Sequence, residues 1–215
     1  GFGGPLWVIP NARRVERFVA VDRTAAARAL REELGVGPSV PLVGLVGYLV
    51  EQKAPVRAVE VVAALRADGV DVHLVVVGDG PLRPVVRARA AELGVADSVS
   101  VLGHRDDVER LLGGLDVLVL TSDDEGVPGV LIEAALVGCP VVTYPVGYVA
   151  EVVDDGVTGV VVDEPSVPAM TAAVADLLAN PPAADAMAAA SRRAAEVHSM
   201  GSVARHYEDV LLAVV

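Results

Sequence analysis

The sequence predicts an α/β protein with a doubly wound, Rossmann-like parallel sheet of about six strands, helices on both faces and a helical C-terminal tail. Two observations carry the prediction: short runs rich in Val and Leu, and helical stretches that alternate with them. Near-continuous β-branched runs are typical of strands buried on both faces. Repeated strand–helix alternation indicates a parallel sheet, whose common 3-2-1-4-5-6 order reverses between the first and fourth strands.

The elements follow in order along the chain. Strands are predicted at 42–48, 72–78, 98–103, 116–121, 140–144 and 159–163, and the helices between them at 54–68, 82–93, 105–113, 127–138 and 147–154. After residue 166 there is no strand signal, and three helices are predicted, at 166–179, 183–197 and 200–213. Residues 1–18 precede the first helix as an N-terminal segment with one short strand at 6–9.

Composition limits the function class. The length of 215 residues fits one large domain or two small ones, and the net charge of −12 disfavours nucleic acid or an anionic membrane as main partner. The single cysteine, Cys139, excludes an internal disulfide and is predicted to be a buried small hydrophobe. No apolar run reaches a membrane span, and residues 1–14 lack the order of a secretory signal. We expect a cytoplasmic protein, and the missing initiator Met is expected to mark a fragment or a processed chain.

The loop after the first strand is a candidate phosphate site. It runs from Gly47, which lets a ligand approach the backbone, to Lys53, which is predicted near a helix N-terminus. A mobile cation beside free amide groups suits phosphate. The alternative is that Lys53 is a solvated surface lysine.

The loop after the fourth strand is the most informative stretch. Glu125 precedes the predicted helix and Glu133 lies about two turns inside it, so both carboxylates can face one side. That arrangement suits hydroxyl groups at opposite ends of a nucleoside diphosphate sugar, with the diphosphate against the amides of Gly129 and Val130. The alternative carries similar weight: Glu125 caps the helix and Glu133 points to solvent.

Three further loops carry weaker signals. The turn after the second strand, GDGP at 78–81, is explained by chain reversal. His104 and Arg105 follow the third strand and fit a base pocket, but an Asp-capped helix at Asp106 or Asp107 explains that stretch equally well. Gly147, after the fifth strand, fits a loop that touches a sugar through its amides. No stretch has the spacing of a dinucleotide fingerprint, a Walker loop or a metal-ligand set.

Taken together, these motifs resemble the C-terminal, donor-binding half of a retaining GT-B glycosyltransferase of the large group 1, glycogen-synthase-like family. The resemblance covers nearly the whole chain. Its most specific part is SDDEGVPGVLIEAALVGCPVV at 122–142, which resembles the family's two-glutamate signature. The other matching stretches are VIPNARRVERF at 8–18, GYLVEQK at 47–53, VVVGDGP at 75–81, VLGHRDDV at 101–108 and GYVAEVVDDGVTGVVV at 147–162.

The resemblance implies a role for each matching residue. Glu133 would bind the donor ribose, Glu125 the transferred sugar, and the amides from Gly129 to Leu131 phosphate or sugar. Lys53 would neutralise the diphosphate and help the leaving group without a metal or cofactor. His104 and Arg105 would lie by the nucleobase, and Gly47, Tyr48 and Gly147 would line the donor site.

The resemblance also implies a domain arrangement. Residues 1–215 would form one nucleotide-sugar-binding domain, with UDP or GDP as the expected nucleotide. An N-terminal domain that binds the acceptor would be absent, and the segment 1–18 and the helix 200–213 would point toward it. The expected function is hexosyl transfer to an unidentified acceptor, with this chain inactive alone and the full-length enzyme peripheral to the membrane.

The sequence departs from the family pattern at two positions. Tyr48 stands where the family has a phosphate-binding Arg, and tyrosine cannot supply a second cation. Ala12 stands where the N-terminal segment usually has Gly. Two other functions therefore stay open: a GT-B-type nucleotide-sugar epimerase, and a degenerate domain that binds nucleotide or a partner protein without catalysis.

Overall fold

The computed structural model describes residues 7, 9 and 11–214, and its centre is a six-stranded parallel sheet. The strands are β1 (Leu42–Val46), β2 (His73–Val77), β3 (Val99–Gly103), β4 (Val117–Leu120), β5 (Val141–Thr143) and β6 (Val160–Val161). Their order across the sheet is β3-β2-β1-β4-β5-β6, and every neighbouring pair is parallel. The predicted fold class and the reversal between β1 and β4 are both confirmed.

Helices pack around this sheet. They are α1 (Glu16–Val19), α2 (Arg23–Leu34), α3 (Pro55–Ala67), α4 (Arg83–Glu92), α5 (Val108–Gly114), α6 (Gly129–Val137), α7 (Val167–Ala179), α8 (Pro181–Ala194) and α9 (Met200–Val214). Short 3-10 turns lie at Glu51–Lys53, Ala96–Ser98, Val149–Glu151 and Ala195–His198. In the part of the chain that the structure describes, no helix is both long and apolar enough to cross a bilayer.

The core forms because the Val and Leu runs are buried on both faces of the sheet. All five residues of β2 are buried, as are all four of β4. The core is also tightly packed against β1: a methyl group added at Gly44 would lie 2.0 Å from a methyl carbon of Leu115, the residue that follows α5. α6 is the most apolar of the helices in this core, with six of its nine residues buried. The apolar runs therefore hold the strand ends, and the loops that follow them, in fixed positions.

Three predicted elements differ from the structure. The helix predicted at 147–154 is only the 3-10 turn Val149–Glu151, because Gly147 has a left-handed φ of +54° and the Tyr148 amide donates to the Gly126 carbonyl instead of starting a helix. The first helix, α1, begins inside the segment predicted to precede all helices. The strand predicted at 6–9 falls partly outside the described residues, and Trp7 and Ile9 are not in a strand.

Candidate functional site

The loops after β1 and β4 lie side by side because those two strands are neighbours at the point where the strand order reverses. Hydrogen bonds tie one loop to the other. The Asp123 amide donates to the Gln52 carbonyl at 2.9 Å. The Thr121 hydroxyl reaches the carbonyls of Lys53 and Ala54 at 3.0 and 3.1 Å. The backbone around Lys53 is thereby fixed against the β4 loop.

Lys53 and Glu125 form the centre of the site. The ammonium nitrogen Nζ of Lys53 lies 2.6 Å from each Glu125 carboxylate oxygen, and the Ser122 hydroxyl donates to Oε1 at 2.6 Å. The Glu125 side chain is only 6% exposed, whereas the Lys53 side chain is 30% exposed. Of the 17 basic residues in the chain, Lys53 alone is a lysine. The alternative that Lys53 is merely a solvated surface residue is therefore wrong.

The helix-cap alternative for Glu125 is also wrong. The N-cap residue of α6 is Pro128, and no side chain caps this helix. Glu125 instead accepts from Lys53 and Ser122, so the loop rather than the helix determines its position. Ser122 is not among the residues that the sequence predicted for this site. Its role is to orient a buried carboxylate, and its position three residues before Glu125 is the only signal of that role.

The loop after β5 packs against the backbone of Glu125. Gly147 packs so closely that a Cβ at this position would lie 1.7 Å from the Glu125 carbonyl oxygen. The next amide, that of Tyr148, donates to the Gly126 carbonyl at 3.1 Å. Gly147 is thus required for close contact between two backbones. Its predicted contact with a sugar stays a prediction.

The first turn of α6 presents amide groups at the edge of this site. Helix N-termini leave their first amides without an intrahelical acceptor, and such amides bind anions. Among the described residues, the amides of Gly129 and Val130 have no acceptor, whereas the Leu131 amide donates to the Pro128 carbonyl at 3.1 Å. Gly129 and Val130 are therefore better placed than Leu131 for the predicted phosphate contact.

Glu133 lies one turn further along α6 and is paired with Arg13. Arg13 Nε donates to Glu133 Oε1 at 3.0 Å, and the two side chains are 28% and 23% exposed. Burial raises the pKa of Glu133, and the Arg13 charge opposes that rise. The alternative that Glu133 points to free solvent is wrong. Sequence reasoning missed Arg13 because the pair joins residues 120 positions apart.

The glycines after β1 and β2 let two loops touch. A Cβ at Gly78 would lie 1.9 Å from the Gly47 carbonyl oxygen, and one at Gly80 would lie 2.5 Å from the Leu49 carbonyl oxygen. Leu49 in turn donates its amide to the Asp79 carbonyl at 2.9 Å. The GDGP turn is therefore a support for the β1 loop as well as a chain reversal. Tyr48 stands out from this loop with 62% of its surface exposed.

The loop after β3 is arranged differently. The His104 side chain is 81% exposed. The Arg105 guanidinium is held between Asp107 at 2.8 Å and Glu33 at 2.5 Å, and these pairings raise the pKa of Arg105 and lower that of Asp107. Asp107 is the N-cap residue of α5, as the Asp-cap alternative predicts, but its side chain makes no cap hydrogen bond. Neither His104 nor Arg105 is hydrogen-bonded to Lys53, Glu125 or Glu133, and their place beside a nucleobase stays a prediction.

Cys139 lies outside this arrangement. It is 1% exposed, and burial raises the pKa of its thiol to about 12. The prediction of a buried small hydrophobe is confirmed.

Comparison with known proteins assigns this arrangement to a family. The sequence model of the family described as "Glycosyl transferases group 1" matches residues 27–194. The chain belongs to this family. The match includes Lys53, Glu125 and Glu133 and does not include Arg13.

Two curated relatives illustrate the family. The chain is 32% identical to the 2-deoxystreptamine glucosyltransferase of Streptomyces kanamyceticus, with 95% of this chain and 54% of that protein covered. It is 37% identical to a GDP-mannose-dependent alpha-(1-6)-phosphatidylinositol monomannoside mannosyltransferase of Mycolicibacterium smegmatis, with 86% of this chain and 50% of that protein covered. The chain spans about half the length of the curated relatives it matches.

Solved structures share the fold. HepE from Anabaena, described in complex with UDP and glucose, superposes with a TM-score of 0.85 at 21% identity over 97% of this chain and 56% of HepE. The C-terminal domain of the group 1 protein LpcC from Francisella tularensis superposes at 0.71 and 16% identity, over 85% of this chain and 95% of that one. The chain therefore has the fold of a C-terminal GT-B glycosyltransferase domain.

Proposed function

We propose that this chain is the donor-binding domain of a retaining glycosyltransferase that moves a hexosyl group from a nucleoside diphosphate sugar. The observation that carries the proposal is the Lys53–Glu125 pair, which lies at the reversal of strand order and directly precedes the N-terminus of α6 in the chain. Ligands of open parallel sheets bind at this place. The family membership supplies the reaction class, glycosyl transfer.

Each of these groups has a role in the proposed reaction. The Glu133 carboxylate accepts from the ribose hydroxyls, and the Gly129 and Val130 amides face the diphosphate. Glu125, held rigid by Lys53 and Ser122, contacts the transferred sugar. When the glycosidic bond breaks, negative charge grows on the diphosphate, and the exposed side of the Lys53 ammonium stabilises it. A lysine and a helix N-terminus provide this positive charge in the proposed reaction without a metal ion.

The donor and acceptor are also part of the proposal. UDP and GDP are the nucleotides to test first, because HepE is described with UDP and the mannosyltransferase relative is named as GDP-mannose-dependent. The acceptor is proposed to bind in a second, N-terminal domain, so this chain alone binds the donor without transferring sugar. We propose a cytoplasmic location for the whole enzyme, with peripheral membrane contact.

Calorimetric titration tests the proposal. UDP, GDP, ADP and their sugars are titrated into the chain and into Glu133→Gln. We expect one nucleotide to bind and its affinity to fall at least about tenfold in Glu133→Gln, which removes the charged acceptor. Glu32→Gln, which neutralises an exposed carboxylate on α2, is the matched control and should bind like wild type. A folded chain that binds none of these ligands would contradict the proposal.

The single lysine allows a second, site-specific test. Reductive methylation with ¹³C-formaldehyde labels Lys53 and the N-terminal amine, and the methylated lysine keeps its positive charge. The Lys53 signal is assigned with Lys53→Arg, which keeps the positive charge and lacks that signal. We expect the binding nucleotide to shift the Lys53 signal. Binding that leaves the Lys53 signal unmoved would place the nucleotide elsewhere.

A further inference from the structure

The side chain of Arg13 lies along the first turn of α6. Its Nε is bonded to Glu133 at 3.0 Å, and its Nη1 donates to the Ala12 carbonyl at 3.0 Å. Its Nη2 has no acceptor within the described ranges and lies over Gly129, where a Cβ would be only 1.7 Å away. The guanidinium thus extends from the carboxylate of Glu133 to the start of the helix, where the unbonded amides of Gly129 and Val130 lie.

This placement is electrostatically unusual. The N-terminus of a helix carries partial positive charge and favours anions, so a cation placed there raises the local potential. Glu133 satisfies one edge of the guanidinium, and Nη2 still faces the helix start. The arginine guanidinium is planar and rigid, and the N–H donors that are not bonded to Glu133 match the oxygens of a phosphate. The arrangement has the charge and the donors of an anion site.

The charges of the surrounding site lead to the same conclusion. The Glu125 carboxylate balances the charge of Lys53, and Glu133 adds a second carboxylate, so without Arg13 these groups are net negative. The exposed Tyr48 adds a hydroxyl but no charge. A diphosphate carries at least two negative charges, and this environment would repel it. With Arg13 included, the net charge of these side chains is zero, and the amides at the start of α6 add partial positive charge.

The backbone that carries Arg13 is held in place. The Arg13 amide donates to the His198 carbonyl at 2.8 Å, and Arg13 forms a parallel bridge with Ser199. The imidazole Nδ1 of His198 lies 3.1 Å from the Asn11 carbonyl oxygen. Contacts to the turn before α9 therefore fix the segment 11–13 while the guanidinium remains partly exposed.

We propose that Arg13 is the second cation of the donor site and contacts the diphosphate through Nη2 while its Nε stays on Glu133. Arg13 supplies, from a different segment of the chain, the positive charge that Tyr48 does not provide. This inference rests on the proposed function. A simple blocking role, in which Arg13 occupies Glu133 and must leave before the ribose binds, predicts the opposite effect on affinity.

The test compares Arg13→Ala with Arg14→Ala. Both variants remove one positive charge at neighbouring positions, but Arg14 is exposed and has no ion pair among the described side chains. Calorimetry with the nucleoside diphosphate that wild type binds should show at least about a tenfold loss for Arg13→Ala and less than about a twofold change for Arg14→Ala. The corresponding nucleoside, followed by saturation-transfer NMR, should bind both variants like wild type because it has no phosphate.

The outcomes separate the two proposals. Unchanged or tighter diphosphate binding by folded Arg13→Ala would overturn the role of Arg13 and leave the donor site standing. Equal losses in both arginine variants would show a long-range charge effect and would also overturn it. A wild-type chain that binds no nucleotide would overturn the donor site and this inference together. Thermal unfolding of each variant, with a cooperative transition as the criterion, establishes that it is folded.

Discussion

The two glutamates of the site are held in contrasting ways. Glu125 is 6% exposed and is bonded through both oxygens to Lys53 and through one to Ser122, all within loops that are tied to each other. Glu133 is 23% exposed and, within the described part of the chain, its carboxylate accepts one hydrogen bond, from Arg13, a residue 120 positions away. The first pair is part of the loop framework. The second pair joins two segments that are far apart in the sequence and is more open to solvent.

The largest expected difference between the two pairs is in stability. Lys53→Met leaves Glu125 buried without its cation, and we expect it to lower the free energy of unfolding by about 3 kcal/mol, at the low end of values for broken buried pairs because Lys53 is partly exposed. Chemical denaturation measures this loss. The double variant Lys53→Met/Glu125→Gln, which removes the uncompensated charge, should recover more than half of it. No recovery would mean that packing, and not charge, stabilises this loop.

The Ser122 hydroxyl should contribute less. Ser122→Ala removes one hydrogen bond to a buried carboxylate and should cost about 1.5 kcal/mol, a typical value for a bond to a charged group. Denaturant titration of Ser39→Ala, at an exposed turn position, provides the comparison and should stay within about 0.5 kcal/mol of wild type. A loss in Ser122→Ala no larger than in Ser39→Ala would show that Lys53 alone positions Glu125.

Arg13→Ala should have a smaller effect on stability still. The Arg13–Glu133 pair is partly solvated and joined by a single bond, so we expect a loss below about 1 kcal/mol in the same denaturation assay. The contrast with Lys53→Met is the essential result: the Lys53–Glu125 pair should stabilise the fold much more than the Arg13–Glu133 pair does. A loss in Arg13→Ala as large as that in Lys53→Met would remove the distinction drawn between them.

The smallest expected effect is a pH dependence at Glu133. Because burial raises its pKa above the ordinary value of 4.5, the folded state binds this proton more readily than the unfolded state. Glu133 therefore favours folding most at low pH, and this contribution is lost as the pH rises from 4.5 through the raised pKa. Glu133→Gln should gain stability relative to wild type as the pH rises to 7.5, measured by thermal unfolding from pH 5. A difference that shrinks with rising pH would contradict the direction of the shift.

The sequence predicted the sheet well because its signals are local. Runs such as LVGLV at 42–46 and HLVVV at 73–77 are buried on both faces, and that burial produces the pattern from which they were predicted. Gly47 and Lys53 lie in the segment that follows β1 along the chain, so their position at the end of this strand could also be predicted. The pairing of Lys53 with Glu125 required only that β1 and β4 be adjacent, which the common strand order implies.

The rest of the site depends on contacts that no local pattern carries. Arg13 meets α6 only because the N-terminal segment is bridged to Ser199 near the other end of the chain. Arg105 forms an ion pair with Glu33 on α2, and no spacing along the sequence predicts that pair. The predicted helix at 147–154 fails for a similar reason. Its first residues are held by the backbone of the Glu125 loop.

The ties between loops have a consequence for local unfolding. The amides of Gly47, Leu49, Asp123 and Tyr148 each donate to a carbonyl of a neighbouring strand or loop and not to one in their own segment. Hydrogen exchange at any of these amides therefore requires two segments to separate. The segments also share partners, because the loop after β1 is bonded both to the loop after β2 and to the loop after β4. The rim of the sheet should open as one cooperative unit, with its amides exchanging together in spite of their distance along the chain.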